Sequence, residues 1–395
     1  NGQQPLSTPT NAMEAGIAAF NKKDYRSALA NFTAALKANP DNANALYYEA
    51  VTFHRMKELL AAKEAYATVV TRYPGTDAAR NAEAALNYLN PDYLKQFQHQ
   101  VAMAANNGTR VGQNANGTVN DSISNLPDEV SIPYRREGNN LVISAFINNH
   151  PLEMYFDSGA EITMVRKSQL QNLGLGGPQG APTFLSYGVG DGGGQGNWMI
   201  RTNIKVGQIE HRNFPLAVQD DQGGSSKGPA YPLLGETFFR GFSYKVMPTS
   251  DENRGSIIFQ KKRANSGMAS DGGSVPYRDA GRNMIVVVEV NGRSMPMIFD
   301  TGASTCCFSA HQWIDLLKMP IPDDAANTMN SGIAGSTRSK SFTADTMRLG
   351  GVVKHDVPIS VVESSQMPYP LLGNSFFGDL HIEVDNAAHM IRLRK

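Results

Sequence analysis

Cysteine is scarce in this 395-residue chain, which holds two, Cys306 and Cys307, side by side. A bond between neighbours would close a small, strained ring, so the expected state is a pair of buried thiols. Two cysteines cannot make a structural zinc pattern, and the eight histidines are scattered without ligand spacing, so no metal or other cofactor is expected. Net charge is lacking as well: 36 Lys plus Arg balance 36 Asp plus Glu, which leaves no field to recruit nucleic acid or an anionic membrane. No apolar run is long enough to span a bilayer, so no transmembrane segment is expected.

What the chain does have is repetition. Met154-Tyr155-Phe156-Asp157-Ser158-Gly159-Ala160 returns as Met297-Ile298-Phe299-Asp300-Thr301-Gly302-Ala303, and each copy is followed by Tyr-Pro-Leu-Leu-Gly-X-X-Phe-Phe. Asp157 and Asp300 lie 143 residues apart, as do Ile132 and Val275, while Tyr231 and Tyr369 lie 138 apart. Landmarks in one order with a small drift describe a duplicated unit in which one loop has been shortened. Asp-Ser/Thr-Gly alone is ordinary turn composition; the duplication gives it weight.

A second, shorter repeat occupies the first quarter. Gly16, Phe20, Tyr25, Ala28, Phe32, Ala35 and Pro40 are answered 34 residues later by Ala50, His54, Leu59, Ala62, Tyr66, Val69 and Pro74. Small residues where helices approach, aromatics where they interlock and a closing proline resemble the tetratricopeptide repeat, with Thr76 to Leu89 as a capping helix. Two repeats and a cap bury little, so this module is expected to lean on the rest of the protein or on a partner. From Gln96 to Pro127 the composition turns to Asn, Gly, Thr, Ser and Gln, which reads as a linker or as a pro-segment. Beyond Val130, short alternating strands such as Leu141–Ile147 and Met284–Val290 are punctuated by Asn-Asn, Asn-Gly and Gly-Gly turns, and Ala264 to Ser274 is a Gly/Ser-rich connector.

Each Asp follows an apolar strand and precedes a small hydroxyl residue and Gly, a loop that lets two carboxylates approach. Two such carboxylates cannot both ionise readily, so they hold one proton between them. One can then act as base towards a water while the other donates to a carbonyl oxygen.

On these residues the second part of the chain, about 130 to 395, resembles the retropepsin-like aspartic peptidases, with two units fused in one polypeptide. The matching motifs are Tyr155-Phe156-Asp157-Ser158-Gly159 with Leu233-Leu234-Gly235, and Ile298-Phe299-Asp300-Thr301-Gly302 with Leu371-Leu372-Gly373. The resemblance implies that Asp157 and Asp300 form the catalytic dyad. It implies that Ser158 and Thr301 hydrogen-bond across the loops, with Gly159, Gly302, Gly235 and Gly373 as loop support. Substrate-covering flaps are implied at Tyr187, Gly188 and Gly190 and at Gly332, Ile333 and Gly335. An ordinary Gly-rich turn is the other reading there, and no Lys-Ser/Thr follows to make a phosphate loop. Ala160 and Ala303 stand where pepsin-like relatives more often have Ser, which implies a mildly acidic optimum. Cys306 takes the place that Thr163 holds in the first unit, so support of the second loop is expected to differ.

The expected fold class is therefore multidomain: an all-α, tetratricopeptide-like domain over 1–95, a polar linker over 96–129 and a mainly-β, two-lobed acid-protease fold. Its lobes span 130–263 and 275–395, joined by a connector over 264–274. The expected function is an aspartic endopeptidase acting on peptide or protein substrates, with the helical repeats recruiting substrate or a partner. A non-catalytic peptide-binding scaffold, or an enzyme kept latent by its N-terminal region, is the alternative. Low cysteine and resemblance to bacterial members of the family, many of them envelope-associated, imply export to the periplasm, the envelope or the medium.

Overall fold

Five helices open the chain in the computed structural model: α1 (Pro9–Asn21), α2 (Tyr25–Ala38), α3 (Ala43–Arg55), α4 (Leu59–Arg72) and α5 (Asp77–Leu89). The structure describes residues 9–39, 41–56, 58–89, 127–186, 189, 195–220, 231–249, 251, 253–261, 274–280, 282–332, 335–363 and 367–394. Most of the stretch read as a linker, and the connector up to residue 273, lie outside the described residues. Helix starts follow from side chains that accept the first unpaired amides. Asp24 accepts from Ser27 N at 3.1 Å, Asn42 from Ala45 N at 3.0 Å and Thr76 Oγ1 from Ala79 N at 3.1 Å. Ala28, Ala50 and Ala62, the small residues of the 34-residue pattern, are fully buried between helices. No helix among the described residues is long and apolar enough to cross a membrane.

Among the remaining described residues strand predominates. The first unit contributes β1 (Glu129–Glu137), β2 (Asn140–Ile147), β3 (His150–Phe156), β4 (Met164–Arg166), β5 (Phe184–Ser186), β6 (Gln195–Val206), β7 (Ile209–Gln219), β8 (Leu233–Leu234), β9 (Phe242–Pro248) and β10 (Arg254–Lys261). The second contributes β11 (Ser274–Pro276), β12 (Arg278–Ala280), β13 (Asn283–Val290), β14 (Arg293–Phe299), β15 (Cys306–Ser309), β16 (Ala326–Gly332), β17 (Gly335–Leu349), β18 (Val352–Val362), β19 (Leu371–Leu372), β20 (His381–Asp385) and β21 (Met390–Arg394). The first strand thus begins one residue before the boundary read from the sequence.

The duplication is visible in the pairing. β3 runs parallel to β8 with Phe156 opposite Leu234, and β14 runs parallel to β19 with Phe299 opposite Leu372. β4 pairs parallel with β7 as β15 does with β18. The strands that deliver the two Asp residues each leave a two-residue hairpin whose residues all have positive φ: Asn148 and Asn149 at 46° and 68°, Asn291 and Gly292 at 45° and 78°. Such turns match the right-handed twist of the flanking strands, which fixes the register of β3 and β14.

The lobe boundary does not separate hydrogen-bonded sheets. β11, β20 and β21 belong to the second unit, yet β20 pairs with β9, so a 13-stranded sheet runs through both units beside a second, 8-stranded sheet. One apolar core is shared by residues of both, including Phe156, Leu234, Phe299 and Leu372. The helical core does not end at the helices either: it is continuous with Ala280, Ile285, Ile298 and Tyr369 of the second unit.

Candidate active site

Strand β3 ends at Phe156 and β14 at Phe299, side chains locked into the core, and the next residue of each is the aspartate. Main-chain bonds continue the pairing one step further, from Asp157 N to Leu234 O at 3.1 Å and from Asp300 N to Leu372 O at 3.0 Å. Each Asp backbone is thereby fixed by the Leu-Leu-Gly strand of its own unit.

Beyond the strands the loops cross-brace. Ser158 Oγ donates to Phe299 O at 2.9 Å and accepts from Thr301 N at 3.0 Å; Thr301 Oγ1 donates to Phe156 O at 3.0 Å and accepts from Ser158 N at 2.9 Å. Both side chains are fully buried. A hydroxyl is the one small side chain that can donate and accept at once, which is why Ser and Thr serve equally.

The carboxyls face each other over these braces, each set against the glycine of the other loop. A β-carbon on Gly159 would collide with the carboxyl of Asp300, and one on Gly302 with the carboxyl of Asp157. Only glycine fits there. Asp157 Oδ1 accepts from Gly159 N and Ala160 N, both at 2.9 Å, and Asp300 Oδ1 accepts from Gly302 N at 2.8 Å and Ala303 N at 3.0 Å. Burial pushes both carboxyls above the usual range. For Asp157 the Asp300 charge pushes it further, while for Asp300 the bonds it accepts oppose burial. The pair therefore retains a proton at pH values where free carboxyls have lost theirs, which gives it one acid and one base.

Gly235 and Gly373 sit beneath the loops. Thr163 Oγ1 accepts from Gly235 N at 3.1 Å and from Thr237 Oγ1 at 3.0 Å. In the second unit Cys306 Sγ accepts from Gly373 N and from Ser375 Oγ, both at 3.4 Å. The thiol makes the same pair of bonds at lengths suited to sulfur, so the expected difference in support is one of atom and not of architecture. Both cysteines are free, with thiols that burial pushes up to about 11 for Cys306 and about 12 for Cys307.

The two hairpins read as flaps exist as hairpins. β5 and β6 pair with Ser186 opposite Gln195, and β16 and β17 pair with Gly332 opposite Gly335. Tyr187, Gly188, Gly190 and Ile333 lie outside the described residues. Val189 packs against Cys307, Val362 and Met367 of the second unit, and its carbonyl oxygen lies 2.6 Å from where a Gly332 β-carbon would be. The first hairpin thus reaches across to the second.

Sequence reasoning missed the outer braces. Glu161 Oε1 accepts from Arg282 N at 3.2 Å and Asn283 Nδ2 at 3.4 Å, and in the mirrored place Asn139 Nδ2 donates to Ser304 O at 2.9 Å. Burial pushes the Glu161 carboxyl up as well. The 143-residue offset relates Asn139 to Arg282 and Glu161 to Ser304, a correspondence invisible to residue type because one brace uses a side chain where the other uses backbone.

Comparison with family models finds two matches in this region. Residues 286–376 match the model described as "Aspartyl protease", and residues 143–241 match that described as "gag-polyprotein putative aspartyl protease". Each match contains one Asp loop and its Leu-Leu-Gly strand. No curated protein matches the chain.

Proposed function

Because this chain carries two retropepsin-like aspartic peptidase units fused in series, we propose that it is an aspartic endopeptidase that hydrolyses peptide bonds with a water activated by Asp157 and Asp300. The observation that carries the reading is the mutual approach of the carboxyls, each against the other loop's glycine, with burial favouring a shared proton. In the reaction the ionised member takes a proton from water as it attacks the scissile carbonyl, and the protonated member hydrogen-bonds to the developing oxyanion. The proton then passes to the leaving nitrogen as the C–N bond breaks. The substrate lies extended between the two units under the β5–β6 and β16–β17 hairpins, where strand edges supply backbone bonds and apolar walls supply selectivity. We assign the exposed faces of the helical repeats to recruitment of substrate or of a partner protein, as helical arrays offer broad surfaces. Export from a bacterial cell fits the scarcity of cysteine.

Incubation of the protein with a diverse peptide mixture from pH 3 to 8, read by mass spectrometry beside Asp157→Asn and Asp300→Asn, tests the reading. Cleavage that peaks at mildly acidic pH and vanishes in both variants is expected. Cleavage surviving in either variant would refute the dyad. Peptide binding without cleavage by the unaltered chain would favour a scaffold instead.

A further inference from the structure

The strand pairings of the two units correspond, which allows each position to be compared with its duplicate. Arg135 pairs with Val142, which pairs with Tyr155; Arg278 pairs with Ile285, which pairs with Ile298. Tyr155 and Ile298 lie two residues before Asp157 and Asp300, so they share the face of the strand that carries the carboxyl. Opposite them stand Leu233 and Leu371, with Tyr231 and Tyr369 two residues earlier. These positions form the strand wall next to each Asp; in the second unit Ile298 and Tyr369 are buried against the helical core.

In the first unit the wall is held by the unit itself. Arg135 donates to Glu153 at 2.8 Å, to Glu137 at 2.9 Å and to the Tyr231 hydroxyl at 3.0 Å, and Tyr155 meets Tyr231 edge to face, with centroids 5.1 Å apart and planes at 78°. In the second unit Arg278 and Tyr369 are retained and their partners are not. Ala280 replaces Glu137, Pro296 replaces Glu153 and Ile298 replaces Tyr155.

Helix α3 supplies what is missing. Arg278 donates to Glu49 at 2.8 Å and to the Tyr369 hydroxyl at 3.0 Å, and Phe53 meets Tyr369 edge to face at 5.6 Å and 78°. The first unit's pair is half-exposed, with side chains 40% and 43% accessible for Arg135 and Glu153, whereas Arg278 and Glu49 are 8% and 0% accessible. Burial raises the Glu49 carboxyl, opposed by the Arg278 charge and by a hydrogen bond from Thr33. A guanidinium so enclosed needs a carboxylate, since an unpaired charge in that setting is strongly destabilising. An incidental contact between a helical module and a β unit would not restore an acid and an aromatic ring at the two places where the duplicate has lost them.

We infer that Glu49 and Phe53 are positioning residues of the second unit's substrate wall: through Arg278 and Tyr369 the helical module completes the cleft beside Asp300. This rests on the peptidase reading. It makes the module part of the catalytic body on its buried face, which is the opposite of a removable inhibitor.

The test uses the full chain and four variants: Glu49→Ala, Phe53→Leu, Ala280→Glu added to the first and Ile298→Tyr added to the second. Kinetics on peptides varied at each side of the cut, together with melting curves, provide the readouts. KM is expected to rise about tenfold in each single variant with kcat within about threefold, and only for changes on one side of the cut. Each added substitution, which copies the first unit's own solution, is expected to return KM to within about threefold of the unaltered chain. Unchanged constants in a folded variant, equal losses on both sides, or failure of the added substitutions would overturn the assignment. If the unaltered chain cleaves nothing, the peptidase reading alone has failed. The melting series then decides, and Ala280→Glu must recover most of the stability lost in Glu49→Ala for the wall assignment to stand.

Discussion

Removing the Ser158 hydroxyl, by Ser158→Ala, isolates the brace between the two loops. Four hydrogen bonds make the brace, and this change deletes two, leaving the Phe299 carbonyl without that donor and the Thr301 amide without that acceptor. Ser158 is fully buried, so water does not replace them cheaply. A buried polar group left unpaired costs about 1–3 kcal/mol, so two place the loss at about 2–6 kcal/mol. Denaturant titration reads this as a lower midpoint with an unchanged slope. The loops that hold the carboxyls would also lose their register, so kcat should fall while KM changes little, because positioning of reacting groups is lost and the walls are not. Thr301→Ser is the matched control: it keeps both bonds of the hydroxyl and gives up one methyl, about 1 kcal/mol. A Ser158→Ala protein within about 0.5 kcal/mol of the parent, with the same kcat, would refute the brace as the element that holds the dyad.

Further outcomes follow from the same geometry. A carboxyl whose pKa is raised by folding adds stability at pH below its unfolded value, near 4, and loses it as pH rises through the folded value. Asp157→Asn keeps an oxygen for Gly159 N and Ala160 N and an amide for Asp300; it should abolish cleavage, raise the melting temperature at pH 7 and lose that advantage near pH 3. A melting difference independent of pH would contradict the raised pKa. Gly302→Ala sets a methyl against the Asp157 carboxyl and should lower kcat by about 100-fold or more, the scale of an ångström's misplacement; retention of near-parental activity would mean that the carboxyls are not so close. Cys306→Thr copies the first unit and should shift stability by less than about 1 kcal/mol. The native thiols, buried with pKa values raised to about 11 and about 12, should resist alkylating reagents until the protein unfolds.

Much of the site is legible in the linear order because the duplication repeats whole strand-loop-strand units. The Asp loops, their glycines and the Leu-Leu-Gly strands are neighbours by local geometry, and the Asn-Asn and Asn-Gly turns announce the hairpins that aim them. The Ser158–Thr301 brace came from family resemblance and has no signal of its own in residue spacing. What stayed hidden depends on distant partners. Glu49 and Arg278 are 229 residues apart, and Glu49 reads as an ordinary acidic residue on a helix until the absence of a carboxylate at Ala280 and Pro296 is noticed. Likewise nothing in Ile382–Val384 states that it will pair with Tyr244–Val246 across the lobe boundary, since an alternating strand specifies its faces and not its neighbour.

That pairing has a mechanical meaning. Ile382, Glu383 and Val384 ladder onto Val246, Lys245 and Tyr244, and the opening strand of the second unit, Ser274–Pro276, lies against the closing strand, Met390–Arg394. The second unit is thus buckled shut at its own ends and stitched to the first by main-chain bonds. Spreading the halves as a hinge would unzip a sheet, whereas lifting the Ala326–Leu349 hairpin bends a ribbon whose tip strand, Ala326–Gly332, is largely exposed. On the peptidase reading we propose, access for a substrate then falls to the exposed outer strand of that hairpin and not to a parting of the two units.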